Sequence, residues 1–543
     1  MRTTRTTATV AAAATALLLS ACGSGATPGQ DTAAPREGGT LVFATGDDEP
    51  TCLDPQNRGN MAQALLGQQF LQSLFYQDEK GEIRPWLAAS WEAAPDGLSW
   101  TVKLRTDVVF SDGTPLDAAA VKANIERVQD PATLSSTGRL ALAKVASVQA
   151  PDTSTVVIKL STPDSALLES LSQVWLPIES PAGFTRGLAG NCEQPIGTGP
   201  FQVQNWARQD AVTLVRNPHF NTPAPGAAHT GPARLDKIVW RFVPDSTTRF
   251  AALQSGQVHV IDTIAPQHAV AAKSDPALSV TIASRPGEPV ELELNTRRAP
   301  FDDLKVRQAF FASADIKSAL ASVYIGTVSQ ATSLLSSATR HAVPATAQAY
   351  DPAKAAALLD EAGWSGRDTA GYRTKDGKRL TAVLPYSAFI PLEAAVYEQI
   401  QATALKSGFE VKLQPLETAA WWTVNNTWDY DAIPVYYTKN SADVLRITYH
   451  SAANADAKPG TYHANTVHLA NPELDALLDQ ASQVSDDARR AELYKQAQQL
   501  ITAGAYTLPV YEQQTRLGQR SNVHGLRLAP SLALPDLYDA WIS

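Results

Sequence analysis

The chain has 543 residues with 44% hydrophobic and 18% charged side chains, so it can form a substantial core and is not extensively disordered. Its formal net charge of −9 argues against nucleic acid or an anionic membrane surface as the main partner. No nucleic-acid partner is therefore expected.

The N-terminal segment has the three parts of an export signal. Arg2 and Arg5 precede an apolar stretch from Ala8 to Leu19, which is too short for a permanent membrane-spanning helix. The four residues Leu19 to Cys22, "LSAC", resemble the bacterial lipobox, which predicts a signal peptide over 1–21 and a lipid on Cys22. An ordinary secretory signal with a chance cysteine is the alternative. Residues 22–39 are predicted to be the lipidated cysteine and a flexible tether.

Two further cysteines, Cys52 and Cys192, lie in a chain predicted to be exported, where disulfides persist. A bond between them would close a loop of about 140 residues and add about 4 to 5 kcal/mol on the chain-entropy model. Two buried free thiols remain the alternative at this point.

In chain order, the first elements alternate strand and helix patterns. "TLVFATG" at 40–46 predicts a first strand, and "LSWTVKLR" at 98–105 predicts a strand with Trp100, Val102 and Leu104 inward. A helix is predicted within 116–128, behind Asp117 as N-cap. "TVVIKL" then predicts a strand whose inward residues are Val156, Ile158 and Leu160.

The later elements continue the mixture. "KIVWRFV" at 237–243 and "VELELNT" at 290–296 are predicted strands. Two helices are predicted behind the N-caps Asp351 and Asn471, each followed by a proline at the first helical position. Strands and helices interleaved in this way favour an α/β or α+β architecture.

Catalytic signatures are mostly absent from the sequence. It contains no G-x-S-x-G, no H-E-x-x-H and no Gly-rich loop that ends in G-K-[ST]. "PIGTGPF" at 195–201 lacks the lysine and the following helix of a phosphate-binding loop, so it is predicted to be a tight turn. The chain is expected not to be an enzyme and to need no cofactor.

Two clusters in the C-terminal half are candidates for ligand contact. Six aromatic side chains offer large apolar faces with polar tips, or alternatively core packing: Trp421, Trp422, Trp428, Tyr430, Tyr436 and Tyr437. No metal site is predicted, but His450, His463 and His468 lie close together in sequence and are kept as candidate ligands beside the alternative of scattered surface histidines.

Several segments together resemble the family 5 extracellular solute-binding proteins of ABC importers, which include oligopeptide-, dipeptide- and nickel-binding proteins. The most specific segment is 84–128, with "LAASW", "KLR" and "FSDGTP" before a helix. Others follow in the family's order: "LDP" at 53–55, "PIGTGPF" at 195–201, "VRNPHFN" at 215–221, "PDSTTRFAALQSGQVHVID" at 244–262, "ELNTRRAPFDDLKVRQAF" at 293–310 and "LPVYEQ" at 508–513.

The resemblance implies an α/β, two-lobed, periplasmic-binding-protein-like fold of cluster C type that closes on a ligand. Lobe I is expected at 40–80, 196–287 and 509–543, an extra subdomain of lobe I at 81–195, and lobe II at 288–508. A ligand held between two lobes shifts the balance of open and closed forms.

The sequence departs from the peptide-binding pattern at one position. Where the family's peptide binders carry an Asp that pairs with the peptide's α-amino group, this chain has Asn440, followed by Asp443-Val444 in place of an acid-proline pair. Asn cannot balance a buried ammonium charge, so either Asp443 takes the role or the ligand is not a peptide with a free amine. The residues predicted to contact ligand are Trp421, Trp422, Tyr436, Tyr437, Asn440, Asp443, Thr51 and Leu53.

The predicted function is a lipid-anchored substrate-binding component of an ABC transporter at the outer face of the cell membrane. It captures a small organic solute, with peptides as the leading class, and delivers it to permease subunits, and it is expected to be a monomer. The alternatives are a receptor for nickel or another metal chelate and, behind that, a secreted hydrolase.

Overall fold

A computed structural model describes residues 34–346, 348–387, 391–454 and 463–543, and residues 36–543 form a single unit. The predicted signal peptide and Cys22 lie outside the described residues. The helices are α1 (Met61–Gly67), α2 (Ala118–Gln129), α3 (Thr137–Ala141), α4 (Leu167–Ser170), α5 (Pro181–Phe184), α6 (Gly187–Glu193), α7 (Ser246–Ser255), α8 (Pro266–Ala272), α9 (Leu304–Ser313), α10 (Ile316–Tyr324), α11 (Pro352–Glu361), α12 (Pro391–Ser407), α13 (Thr418–Thr427), α14 (Val444–Tyr449), α15 (Pro472–Gln483) and α16 (Asp487–Ala503).

The strands lie between and beside these helices along the whole described chain. They are β1 (Thr40–Thr45), β2 (Gln72–Ser73), β3 (Phe75–Gln77), β4 (Ile83–Pro85), β5 (Ala88–Ala93), β6 (Ser99–Leu104), β7 (Val145–Gln149), β8 (Thr155–Leu160), β9 (Pro177–Ile178), β10 (Phe201–Ala207), β11 (Ala211–Arg216), β12 (Lys237–Phe242), β13 (Val260–Ile261), β14 (Leu278–Ser284), β15 (Val290–Leu294), β16 (Gly366–Arg367), β17 (Arg373–Lys375), β18 (Lys378–Arg379), β19 (Thr381–Ser387), β20 (Glu410–Leu416), β21 (Ala432–Val435), β22 (Thr507–Tyr511), β23 (Gln514–Arg520), β24 (Val523–His524), β25 (Arg527–Ala529), β26 (Leu534–Asp536) and β27 (Trp541–Ile542).

A seven-stranded mixed sheet gathers distant parts of the chain, in the order β10-β11-β12-β1-β13-β23-β14. The predicted first strand, β1, is in its interior, where it runs parallel to β12 and β13. Phe43 and Trp240 are paired across β1 and β12, and their rings stack 3.9 Å apart in the core. The sheet unites segments that the resemblance assigned to lobe I.

The four-stranded antiparallel sheet β5-β6-β8-β7 packs against α2. Along β8 the predicted inward residues Val156, Ile158 and Leu160 are buried, as period-two alternation requires. At the start of α2, the Asp117 carboxylate accepts a hydrogen bond from the Ala120 backbone N–H at 2.7 Å, so the predicted N-cap is confirmed.

A second body of sheet and helix is built around β15, which lies between β21 and β22. All five residues of β15 are buried, and its apolar side chains pack in a core with helices α9 to α12. The predicted helices behind Asp351 and Asn471 are confirmed as α11 and α15, with both caps made by side-chain oxygens.

The chain passes between the seven-stranded sheet and the β15 sheet at two connections, β14 to β15 and β22 to β23. β22 pairs with β15 from Thr507 as far as Tyr511, with an irregularity at Val510, and residues 512–513 connect it to β23. The two connections are therefore the places where the two bodies can hinge.

The "PIGTGPF" segment forms a turn that leads directly into strand β10, as predicted, and is not followed by a helix. Its glycines allow a close backbone approach, because a Cβ on Gly199 would lie 2.5 Å from the carbonyl carbon of Phe70. None of the helices in the described ranges has the length and apolar character needed to cross a bilayer.

Candidate ligand-binding site

A cavity of about 330 Å³ opens in the β15 body, within the size range of small-molecule sites. The side chains around it come from β15, β21, α13, α14 and the start of α12. Its lining residues are Glu288, Val290, Glu293, Ser387, Glu393, Thr418, Trp421, Trp422, Asn425, Pro434, Val435, Tyr436, Tyr437, Thr448, Ala464 and Thr466. All of them belong to the segment predicted to be lobe II.

One wall of the cavity is aromatic. Trp421 and Trp422 project from α13 with their rings edge to face at 4.9 Å, and Tyr436 and Tyr437 follow directly after β21. Trp422 is 42% exposed and Tyr436 is 49% exposed, which is unusual for such large rings. The structure thus brings four of the predicted contact residues together around one space.

The other wall is acidic, and sequence reasoning did not single it out. Glu288 and Glu293 lie on or next to β15, while Glu393 lies at the start of α12. Glu288 accepts a hydrogen bond from the Thr448 hydroxyl at 2.5 Å. Glu393 accepts hydrogen bonds from Tyr511 at 2.9 Å and Tyr397 at 3.1 Å. The sequence signal that could have indicated this wall is "VELEL" at 290–294, in which two glutamates alternate with leucines of the core.

Burial governs the ionisation of these carboxyl groups. It raises the pKa of Glu291, which lies on the same face of β15 as Glu293, to about 8. Burial, reinforced by the negative charges of Glu291 and Glu288, raises the pKa of Glu293 well above its usual 4.5. Burial also raises the pKa of Glu288 and of Glu393. Burial of these side chains therefore favours the protonated carboxyl groups.

The predicted contact residues Asn440 and Asp443 do not line this cavity. The Asn440 amide donates hydrogen bonds to the Glu169 carbonyl at 2.8 Å and the Ser172 hydroxyl at 3.0 Å, and it accepts one from Gln173. Asp443 pairs with Arg446 at 2.8 and 3.0 Å. Both side chains are thus engaged with other parts of the protein.

The loop at 49–55, "EPTCLDP", which contains the predicted contact residues Thr51 and Leu53, also lies away from the cavity lining. Leu53 is fully buried in the core of the seven-stranded sheet, and Thr51 is exposed. Cys52 and Cys192 are joined in a disulfide, with their Cα atoms 4.4 Å apart. The Leu53 N–H donates to the Cys192 carbonyl at 2.9 Å, so the loop is held against α6.

The three candidate histidines do not converge on one point. His463 and His468 stack on Trp428, with ring centroids 3.7 and 4.2 Å from the indole. His450 instead lies 3.4 Å from a carboxylate oxygen of Asp479. Burial lowers the pKa of His468 to about 4. Within the described ranges, no group of three or more His, Cys, Asp and Glu side chains is arranged to hold a metal ion.

Comparison with known proteins identifies the family. The sequence model of the bacterial extracellular solute-binding proteins, family 5 Middle, matches residues 82–459, which is more than half of the chain. The chain belongs to family 5 of the bacterial extracellular solute-binding proteins. The resemblance stated from the motifs is confirmed, and so is the expectation of a binding protein and not an enzyme.

Individual relatives agree with this assignment. The glutathione-binding protein GsiB of Escherichia coli (strain K12) is 27% identical over 501 residues, covering 90% of this chain and 92% of the relative. The structure of NikA from Brucella suis with Fe(III)-EDTA superposes with a TM-score of 0.80 at 26% identity, covering 93% of this chain and all of that one.

A third neighbour supports the fold alone. AppA from Bacillus subtilis, solved with a nonapeptide, has a TM-score of 0.78 at 23% identity and covers 94% of this chain and all of its own. The predicted mixed α/β, two-lobed class is thereby confirmed. This solute-binding protein is an extracytoplasmic substrate-binding component of an ABC importer.

We predict that replacing Glu291 with Gln stabilises the solute-binding protein increasingly as pH rises. The folded-state pKa of about 8 exceeds the ordinary 4.5, so the buried carboxyl stabilises the fold only while it is protonated, and that contribution is lost as pH rises through 8. Between about pH 5 and about pH 8, the variant should gain roughly 3 to 4 kcal/mol in unfolding free energy over wild type.

Chemical denaturation at several pH values measures this gain. The exposed Glu398, changed to Gln, is the matched control and should follow the wild-type profile. Parallel profiles for wild type and Glu291→Gln would contradict the assignment of a strongly raised pKa.

Proposed function

We propose that this chain is the lipid-anchored receptor of its importer, and that it captures a peptide or another small organic solute and delivers it to the permease subunits. The observation that carries the proposal is the cavity whose aromatic wall combines Trp421, Trp422, Tyr436 and Tyr437 in a family 5 protein. Such rings bind organic groups through apolar area and polar tips. The receptor acts as a monomer at the outer face of the cell membrane.

The peptide class draws support from two relatives. GsiB is named for glutathione, a tripeptide, and AppA was solved with a nonapeptide. The cavity of about 330 Å³ suits a short ligand or one segment of a longer one.

A metal chelate is the second candidate, and one observation favours it. The Brucella suis NikA structure, at 26% identity, holds Fe(III)-EDTA, which is a chelate bound as a whole. Metal analysis of protein purified without a histidine tag tests this candidate. Stoichiometric metal that copurifies together with its chelator would support it, and metal-free protein that no chelate stabilises would exclude it.

Ligand capture is tested by thermal unfolding of the ligand-free full chain against peptide, chelate and sugar libraries. A peptide at about 100 times its Kd should stabilise the fold by about 2.7 kcal/mol. The Tyr436→Ala variant should bind that peptide about tenfold more weakly, because it removes a half-exposed ring from the cavity wall.

Tyr372→Ala is the matched control for that variant, since Tyr372 lies next to the small β16-β17-β18 sheet and is not among the cavity lining residues. It should bind as wild type does. Absence of stabilisation by every class of compound would contradict the receptor proposal.

The proposed lipid anchor predicts that association of the protein with the membrane depends on the side chain of Cys22. Wild-type protein expressed in a Gram-positive host should enter the detergent phase on phase separation, because two acyl chains bind the bilayer stably. Cys22→Ala should leave the protein in the aqueous phase. If both forms stay in the aqueous phase, the anchor is wrong.

A further inference from the structure

The acidic wall of the cavity lacks a cationic partner among the lining residues that the structure describes. Glu288, Glu293 and Glu393 all line the space, whereas none of the described lining residues is Lys, Arg or His. Ionised carboxylates in a buried site are costly unless they are paired. The pairing that would stabilise their charged form is therefore absent from the described lining.

Glu293, on β15, is a deeply buried member of this wall. Glu293 is 1% exposed, and its carboxyl group interacts with the Glu291 carboxyl and the Tyr449 hydroxyl but with no cationic side chain among the described lining residues. The titratable groups that act on it are Glu288 and Glu291 from β15 and its approach, Tyr449 from α14 and Tyr430 beside β21. None of these groups carries a positive charge, so an ionised Glu293 carboxylate has no charge partner among them.

Three other buried acids in this chain have cationic partners. Glu169 pairs with Arg490 at 3.2 Å, and Asp443 pairs with Arg446 in a two-point contact. Asp54, which is fully buried, pairs with Arg127. The chain thus supplies an arginine to each of these three carboxylates, whereas no described lining residue supplies one to Glu293.

The aromatic wall is also suited to a cation. Trp421, Trp422 and Tyr436 line the same space as the glutamates. The face of an indole or phenol ring attracts an ammonium or guanidinium group, more strongly where water is excluded. Carboxylates and ring faces together form a site for a positively charged organic group.

We propose that the ligand of this receptor carries an aliphatic ammonium or guanidinium group that enters the cavity and pairs with Glu293. The proposal rests on the receptor function proposed above and specifies its ligand class. The cation does not bind Asn440 or Asp443. Those are the positions at which the resemblance predicted a contact to the α-amino group of a peptide. Its source is either a basic side chain of a peptide or a free polyamine.

Binding of the cation is coupled to proton release. Burial raises the pKa of Glu293 in the empty cavity, so the carboxyl holds a proton that must leave when the cation pairs with it. Affinity for a basic ligand therefore increases as pH rises. A matched neutral ligand, which needs no ionised carboxylate, has a flatter pH dependence.

Titration calorimetry on the ligand-free full chain tests the proposal with matched probes. The peptide arm compares N-acetyl-Ala-Lys-Ala and N-acetyl-Ala-Arg-Ala with N-acetyl-Ala-norleucine-Ala, which keeps the length of the lysine side chain without its charge; acetylation removes the α-ammonium group from all three. The polyamine arm compares spermidine with the uncharged 1,8-octanediol. Glutathione, with its excess of carboxylates, is the acidic probe.

At least one basic probe should bind ten times more tightly than its neutral match, and the arm in which this occurs identifies the source of the cation. Glu293→Gln should abolish that preference, and Glu393→Gln serves as a second variant should the first not fold. The exposed Glu398→Gln should retain the preference.

Two results would overturn the proposal in distinguishable ways. If neutral or acidic probes bind as tightly as basic ones, or Glu293→Gln keeps the preference, the cation inference fails while the receptor function stands. If no probe binds and no library compound stabilises the protein, both fail together.

Discussion

Burial of glutamates on a central strand is the constraint on which the rest of the site depends. β15 lies between β21 and β22, and none of its five residues is exposed. Its leucines pack in the core and Glu293 lines the cavity, so one short strand supplies both packing and a carboxyl group. Such charges raise the free energy of the empty protein until a proton or a ligand neutralises them.

The same strand also links the cavity to the hinge. β14 leads into β15, and β22, which pairs with β15, leads into β23 of the seven-stranded sheet. A ligand that pairs with Glu293 therefore acts on a strand next to both crossings between the two bodies. This is the arrangement in which a binding event shifts the balance between open and closed forms.

Polar contacts bridge the subdomain that contains α4 and the β15 body. Asn440 bonds to backbone and side-chain groups near α4, Lys439 donates to the Ser170 hydroxyl at 3.1 Å, and Arg490 pairs with Glu169. Asn440 thus replaces a charge with an amide that satisfies three neighbours.

Local signals in the sequence were sufficient for much of the fold. Asp117, Asp351 and Asn471 cap helices through contacts two or three residues away, so they could be recognised without knowledge of the rest of the chain. The aromatic wall was also predictable, since Trp421 and Trp422 are adjacent and Tyr436 and Tyr437 follow closely. The family could be identified from motifs spread over most of the chain.

The acidic wall could not be derived in the same way. Glu293 and Glu393 are a hundred residues apart, and only the packing of α12 against the β15 body brings them to one cavity. Alternation along "VELEL" suggests a polar face in water, whereas the strand is buried on both sides. The roles of Asn440 and of the histidines likewise depend on tertiary contacts that no local pattern specifies.

Infrared difference spectroscopy of the protein, without ligand and with the tightest basic probe, measures the ionisation of Glu293 directly. Near neutral pH, the account predicts that binding removes a protonated-carboxyl band and adds a carboxylate band, and that Glu293→Gln lacks this change. A difference spectrum that is the same in wild type and in Glu293→Gln would contradict the central claim that the buried carboxyl of Glu293 is the partner of a ligand cation.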